Sequence, residues 1–394
     1  MTIETPATDR RIRVALVFGG RSGEHEISCA TAAGVMRALD PDRYEIVPVG
    51  ITREGRWVQG PTDPATLELA AHGAVTEGAD VLLRLDGGRE LVVEDSPAAD
   101  AVAASGPTGS AATGVESAAQ GLRALGRVDV VLPLLHGPFG EDGTLQGLLE
   151  MADVPYVGSG VLASAAGMDK DVMKVLLAAR GLPVGPYVSV PARRWATEPD
   201  AVRAEVAALG LPLFVKPARA GSSIGISKVA DLAELDAAID QAHAHDPKVV
   251  VEAGIDGREI ECGVLGGRGT SAPRASLPGE IVLDGAPAGF YDYEAKYVDT
   301  DGLEMAVPAD IPEHVAARVR ELAVRAFDAM GCEGLARVDF FVDGETIVVN
   351  EINTMPGFTP FSMFPVVWEA SGVPYGELLD ELITLALARP VGLR

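Results

Sequence analysis

The chain has 394 residues, 47% of them hydrophobic and 23% charged, and its 57 acidic against 32 basic side chains leave a net charge of −25. At roughly 100–200 residues per domain, that length allows two to four folding units with a sizeable buried core. The acidic balance excludes non-specific binding to nucleic acid or to an anionic membrane surface, so positive charge for any anionic ligand must be local.

The first residues, Met1-Thr-Ile-Glu-Thr-Pro6, lack the basic start and apolar stretch of a signal peptide. Residues 13–18 read as a buried strand that runs into Gly19-Gly20-Arg-Ser-Gly23 and then a helix through Leu39, the first unit of an α/β layer. Tyr44–Ile51 and residues 128–135 are further strands, with a helix over Thr144–Met151. Between them, residues 94–121 hold no lysine, arginine or aromatic and are mostly Ala, Gly, Ser, Thr and Pro, the composition of a loosely ordered surface loop. A second region begins near Gly158, with helices over 169–180, 199–209 and 231–243 and strands over 213–216 and 249–252. From Gly257 strands dominate, followed by a helix over 312–330 capped by Gly331, two apolar strands around Asp343-Gly344, and two helices after Gly357. No apolar run approaches the ~20 residues of a membrane span.

Cys29, Cys262 and Cys332 form no CxxC pair and no zinc-spaced set with histidine, so a reducing cytoplasm is expected. Only six lysines (170, 174, 216, 228, 248 and 296) stand against 26 arginines. Lysines retained against that bias mark places where a compact charge matters. Lys174, Lys228 and Lys248 read instead as leftovers on solvated faces.

Five constellations carry chemistry. Lys216-Pro-Ala-Arg-Ala-Gly221-Ser222-Ser223-Ile-Gly225 follows an apolar strand, and its backbone N–H groups and hydroxyls suit a phosphate, although GxxxxGK[ST] is absent. Arg337-Val-Asp339 faces Asn350-Glu351-Ile-Asn353 across a short turn, and residues two apart on a strand share a face. Two carboxylates and an amide oxygen there offer hard ligands for Mg²⁺. Asp339 and Glu351 can meet one metal only if the loop at Asp343-Gly344 has three residues or a bulge has the same effect. Pro356-Gly357-Phe-Thr-Pro-Phe-Ser362-Met363 is a rigid turn in which Ser362 reads first as a helix cap. Tyr291-Asp-Tyr-Glu-Ala-Lys296-Tyr297 reads as a lid, and His136-Gly-Pro-Phe-Gly-Glu-Asp-Gly143 ends a strand where α/β sheets bind ligands.

In order, Gly19-Gly20-x-Ser-x-Glu24-x-Glu-Ile-Ser28, Leu135-His-Gly-x-x-Gly-Glu-Asp-Gly-Thr-Leu-Gln-Gly147, Met168-Asp-Lys170, the Lys216–Gly225 loop, the Tyr291 stretch, Arg337-x-Asp339 and Asn350-Glu-Ile-Asn-Thr-x-Pro-Gly357 resemble the D-alanine:D-alanine ligases of the ATP-grasp superfamily. The resemblance implies an α/β fold with α+β character in its C-terminal half and three domains: a Rossmann-like substrate domain over 1–157, a central lid domain over 158–255 and a metal and catalytic domain over 256–394. It implies ATP with two Mg²⁺, Mn²⁺ being a possible substitute, D-alanine as substrate, no nucleic-acid or membrane partner, and a homodimer serving peptidoglycan precursor synthesis. Residue by residue, Lys170, Lys216 and Ser223 would hold ATP phosphates, Glu252 with the backbone of Ala253 and Ile255 adenine, and Glu259 the ribose. Asp339, Glu351 and Asn353 would carry the metals. Glu24 would receive the first D-alanine's ammonium with His136 nearby, and Ser362 with the Met363 backbone the second's carboxylate. Arg337 and the Gly357 N–H would hold the oxyanion, Lys296 would approach the transferring phosphate, and Tyr297 with Ser222 would link the lid to Glu24. Two positions depart from the commonest pattern, Ala220 where Glu is frequent and Ala253 where Lys is. Rival readings are a D-alanine:D-lactate ligase, disfavoured by Tyr297, another carboxylate–amine ligase of this fold, and a dinucleotide oxidoreductase, disfavoured because GxGxxG spacing is missing.

Overall fold

The computed structural model describes residues 10–68, 73–94, 122–221, 224–283 and 303–390. Apolar runs build three sheets. The first contains β1 (Ile12–Gly19), β2 (Tyr44–Ile51), β3 (Trp57–Gln59), β4 (Asp80–Leu83), β5 (Glu90–Glu94), β6 (Leu122–Arg127) and β7 (Val130–Pro133), in the order β6-β5-β4-β3-β2-β1-β7. Only β2-β1-β7 are parallel; β3 to β6 extend the sheet as an antiparallel meander. That half differs from a simple Rossmann-like expectation, and its strands are too short to show a clear hydrophobic period. The strand expected over 128–135 is confined to Val130–Pro133.

The second sheet contains β8 (Tyr187–Pro191), β9 (Leu213–Pro217), β10 (Ser227–Val229) and β11 (Lys248–Ala253), ordered β10-β9-β11-β8 and wholly antiparallel. The third contains β12 (Arg258–Leu265), β13 (Arg274–Ala275), β14 (Gly279–Leu283), β15 (Leu303–Ala306), β16 (Leu335–Asp343) and β17 (Thr346–Asn353), ordered β15-β14-β12-β16-β17 with β13 beside β12.

Two cores lock the third sheet between helices and the first sheet. Val338, Phe340, Val349 and Ile352 point away from the charged face and pack with Val319, Leu322 and Phe327 of the Glu313–Met330 helix and Met173 and Leu177 of the Lys170–Ala179 helix. Phe364, Trp368, Leu378 and Leu382 of the last two helices share a core with Val14, Leu16, Val130 and Leu132. The C-terminal helices therefore tie the third sheet to the first. Gly331 ends the Glu313–Met330 helix at φ +67°, the left-handed cap its position predicts. All three cysteines are free and buried, and burial pushes their thiols up to about 12, which leaves them inert at neutral pH. Among the described residues no helix is long and apolar enough to cross a membrane.

Candidate active site

The turn after β1 is built by glycine geometry. Gly19 has φ +90°, and a Cβ there would lie 2.4 Å from the Ile51 carbonyl oxygen. Ser28 Oγ accepts the Gly19 N–H at 2.8 Å and donates to Leu134 O at 2.5 Å, so the start of the His25–Ala38 helix is fastened to the ends of β1 and β7. His25 adds a second fastening. Its Nε2 accepts the Val75 N–H at 3.0 Å, so Nδ1 carries the proton and donates to Gly20 O at 2.7 Å. Glu24, buried at the N-terminus of this helix, is thereby held in place. A Cβ on Gly137 or Gly221 would stand 3.3 or 3.4 Å from Glu24 Oε2, so loops from the first and second sheets close on the same carboxylate.

The main cavity, about 540 Å³, lies between the second and third sheets. On one wall Lys216 Nζ is 2.6 Å from Glu252 Oε2, and Lys174 Nζ is 3.0 Å from Glu252 Oε1. Burial alone would raise the Glu252 pKa, but the two ammonium groups outweigh it and hold the carboxylate well below its usual range. The same Glu252 raises Lys216 despite its burial. Lys174 is 2% exposed, which corrects the expectation of a solvated leftover: it lies on the apolar face of its helix beside Met173 and Leu177. Lys248 is also engaged, 2.6 Å from Asp169 and 3.3 Å from Asp171 at the start of that helix. Lys228 is exposed, as expected, yet lines the cavity. Lys170 Nζ donates to Ala220 O at 3.1 Å and lies 3.6 Å from Glu351. Arg219 grips Asp246 with its guanidinium and its backbone N–H, pinning the loop that leaves β9. At the end of β11 the Ala253 N–H is committed to Pro186 O and the Gly254 N–H to Pro212 O.

The facing wall is set by register. Asp343 pairs with Thr346 across a two-residue turn, Phe340 with Val349, but Asp339 with Glu351, so Asn350 is an extra residue bulged from β17. The turn is one residue later than the Asp343-Gly344 guess, and the bulge supplies the parity that a shared site requires. It sends Arg337, Asp339, Glu351 and Asn353 to the cavity and Val338, Phe340, Val349 and Ile352 to the core. Arg337 grips Asp339 through two 2.7 Å hydrogen bonds and lies 2.9 Å from Glu261; Asn353 Nδ2 donates to Asp339 at 2.9 Å. Burial opposes the Arg337 charge, but these carboxylates raise its pKa well above normal. Two carboxylates and an amide oxygen make a hard-oxygen donor set that fits Mg²⁺. Among the described residues no three His, Cys, Asp or Glu side chains form a ligand cluster by themselves.

Ser362 occupies the N-cap position of the Met363–Ala370 helix but makes no capping bond, contrary to its first reading. Its Oγ lies 2.7 Å from Thr359 Oγ1, and a Cβ on Gly357 would approach it to 3.2 Å. Ser362, Gly357 and the helix N-terminus at Met363 are thus neighbours. His136 is 6% exposed, and its Nε2 has no hydrogen-bond partner among the described residues. It lines a separate cavity of about 290 Å³ with Arg21, Trp57 and Phe139, so the structure does not bring it to the main cavity. Ile255 and Glu259 line the main cavity. Ser222, Ser223, Lys296 and Tyr297 lie outside the described residues.

Sequence reasoning missed four participants: Lys174, Arg219, Glu261 and Glu141. Glu141 lines the main cavity, accepts the Gly137 N–H at 2.7 Å, and is pushed up to about 8 by burial and by the nearby Glu24 charge. Its place inside the His136–Gly143 motif was the available signal.

Two antiparallel sheets holding a cavity between a lysine wall and a carboxylate–arginine wall, beside a mixed α/β layer with a parallel β2-β1-β7 core, define an ATP-grasp ligase. Residues 13–159 match the D-ala D-ala ligase N-terminus, and residues 176–384 the D-ala D-ala ligase C-terminus. The chain is 60% identical to the D-alanine--D-alanine ligase of Kineococcus radiotolerans, over 97% of this chain and 98% of that protein. It is 54% identical to that of Pseudarthrobacter chlorophenolicus, over 100% and 99%. Among solved structures, the VanG D-Ala:D-Ser ligase from Enterococcus faecalis is 34% identical with a TM-score of 0.77, covering 96% of this chain and 100% of its own. The D-alanine-D-alanine ligase from Coxiella burnetii is 33% identical with a TM-score of 0.73, covering 96% and 94%. The chain belongs to the D-ala D-ala ligase family.

Proposed function

We propose that this protein joins two molecules of D-alanine to D-alanyl-D-alanine at the expense of ATP, for peptidoglycan precursor synthesis. The observation that carries the reading is the convergence of Lys170, Lys216 and Glu252 with Arg337, Asp339, Glu351 and Asn353 on one cavity, in a chain 60% identical to a ligase of that name. A carboxylate is a poor electrophile, so the carboxylate of the first D-alanine attacks the γ-phosphorus of ATP, giving D-alanyl phosphate and ADP. The amine of the second D-alanine then attacks the acyl carbon, and phosphate leaves from the tetrahedral adduct.

Each residue has a role that its chemistry supports. Lys170 and Lys216 neutralise the phosphates, Glu252 and the Ala253 and Ile255 backbone take adenine, and Glu259 the ribose. Glu24 accepts the first ammonium, with His136 nearby. Ser362 and the Met363 N–H receive the second carboxylate at a helix N-terminus, where the dipole favours an anion. Arg337 and the Gly357 N–H hold the oxyanion, a contribution of about 3 kcal/mol per donor. Two Mg²⁺ ions held by Asp339, Glu351 and Asn353, with Mn²⁺ as a substitute, would supply charge neutralisation at the phosphates. The cavity favours such cations on charge alone, being lined by eight acidic residues against six lysines and arginines. Ser222, Ser223, Lys296 and Tyr297 enter on the family resemblance, as does a homodimeric assembly. Phosphate release with ATP, Mg²⁺ and D-alanine, against L-alanine and against D-alanine plus D-lactate, tests the reading. Release with L-alanine alone, or ester as the dominant product, would overturn it.

A further inference from the structure

Lys174 is the most buried lysine of the cavity wall, 2% exposed, and the roles above do not use it. It projects from the Lys170–Ala179 helix to 3.0 Å from Glu252 Oε1, to 3.5 Å from the carbonyl of the bulged Asn350, and over the Tyr187 ring at 5.8 Å from its centre. Glu252 is thus held by two lysines of different freedom. Lys216 stands on β9, the strand that leads into the glycine-serine loop, and its ammonium can turn to a polyphosphate. The Lys174 side chain is only 3% exposed, against 12% for Lys216, and its ammonium is held by Glu252 and by the Asn350 carbonyl.

We propose that Lys174 is a positioning residue for base selection: it keeps the Glu252 charge partnered when Lys216 turns to the phosphates, so that Glu252 remains an acceptor for the exocyclic amine of adenine. A carboxylate at 8% exposure left alone by the departing lysine would be strongly disfavoured. Without Lys174, Lys216 can turn to the phosphates only if Glu252 takes up a proton. That proton converts the acceptor to a donor, which suits a base carrying a carbonyl where adenine carries its amine. With Lys174 present, the remaining Lys174–Glu252 pair is neutral and its acceptor faces the base. The inference rests on the adenine placement given above.

Calorimetric titration of the full-length protein with ATP and with inosine triphosphate, in Mg²⁺ and without D-alanine, tests it. The two nucleotides share phosphates and ribose and differ at the group that Glu252 would meet. Wild type should prefer ATP. Lys174→Met, similar in length but uncharged, should weaken ATP about tenfold or more and weaken inosine triphosphate clearly less, shrinking the preference. Lys174→Met combined with Glu252→Gln should bind ATP no more weakly than Glu252→Gln alone, because Lys174 acts through Glu252. A wild-type ATP preference in Lys174→Met, equal weakening of both nucleotides, or additive losses in the double variant would each overturn the inference. Should Lys174→Met fail to fold, the double variant, which removes both charges together, decides: a wild-type ATP preference there overturns it, and a preference equal to that of Glu252→Gln supports it. Absence of phosphate release by the wild type with D-alanine would sink the ligase reading alone, since these titrations contain none.

Discussion

Glu141 is a carboxyl group whose environment opposes its charge: burial and Glu24 push it up to about 8, outweighing the Gly137 N–H and the Arg337 charge that favour ionisation. A carboxyl whose folded pKa lies above its unfolded value of 4.5 favours the fold fully below about pH 4.5, and this contribution is lost as pH rises through about 8. Glu141→Gln keeps the shape without the charge. The ligand-free variant should therefore match wild type near pH 4.5 and melt higher at pH 8 to 9. Thermal melts across that range check it, and a variant melting lower at pH 9 would show that Glu141 sits ionised without penalty. Glu351 presents the opposite case. It shares its face with Asp339 and lies 3.6 Å from Lys170. Glu351→Gln should fold normally and lose turnover, because an amide holds a divalent cation less well than a carboxylate. Full activity at low Mg²⁺ would remove Glu351 from the metal set.

At the scale of elements, residues 94–121 acquire a simple topological meaning. Glu94 and Leu122 are register partners on the antiparallel pair β5 and β6, so the segment between them joins two adjacent strand ends. Replacing residues 95–121 by Asn-Gly, which suits a two-residue hairpin turn, should leave ligase turnover about unchanged and the melting temperature unchanged or higher. A folded but inactive product would give the segment a role in chemistry. The long, strongly patterned elements around it were legible in sequence: β1, the Glu313–Met330 helix with its glycine cap, and the β16–β17 hairpin. β3 and β4 were not, because three- and four-residue strands carry no readable period. For the β16–β17 hairpin, sequence parity demanded either a three-residue loop or a bulge, and could not choose the bulge or assign it to Asn350, since any residue between Asp339 and Glu351 would satisfy the count. Lys174 escaped because a charged residue is ordinarily placed on the solvated face. Its spacing from Lys170 and Leu177 puts it on the buried one, and only the partner Glu252, distant in sequence, makes that burial tolerable.

At the scale of the whole molecule, an acidic protein must receive one of the most highly charged metabolites. The chain carries −25 overall, and even the main cavity is lined by eight acidic residues against six basic ones. Five of those bases are already paired: Lys170 with Glu351, Lys174 and Lys216 with Glu252, Arg258 with Glu280, and Arg337 with Asp339 and Glu261. Free ATP approaching this surface is repelled at long range and meets cations only at contact. Salt then acts with an unusual sign. Going from about 0.01 M to about 0.15 M shortens the screening length from roughly 30 Å to about 8 Å, which removes the distant repulsion while barely touching pairs at hydrogen-bond range. Association of metal-free ATP should therefore speed up as an inert salt such as tetramethylammonium chloride is added. With Mg²⁺ present the nucleotide is less anionic, so the acceleration should be smaller. Stopped-flow binding at several ionic strengths, with and without Mg²⁺, measures both slopes. Association that slows steadily with salt in the metal-free series would mean that the cavity's lysines and arginines govern capture, and that the molecule's net charge is without influence on it.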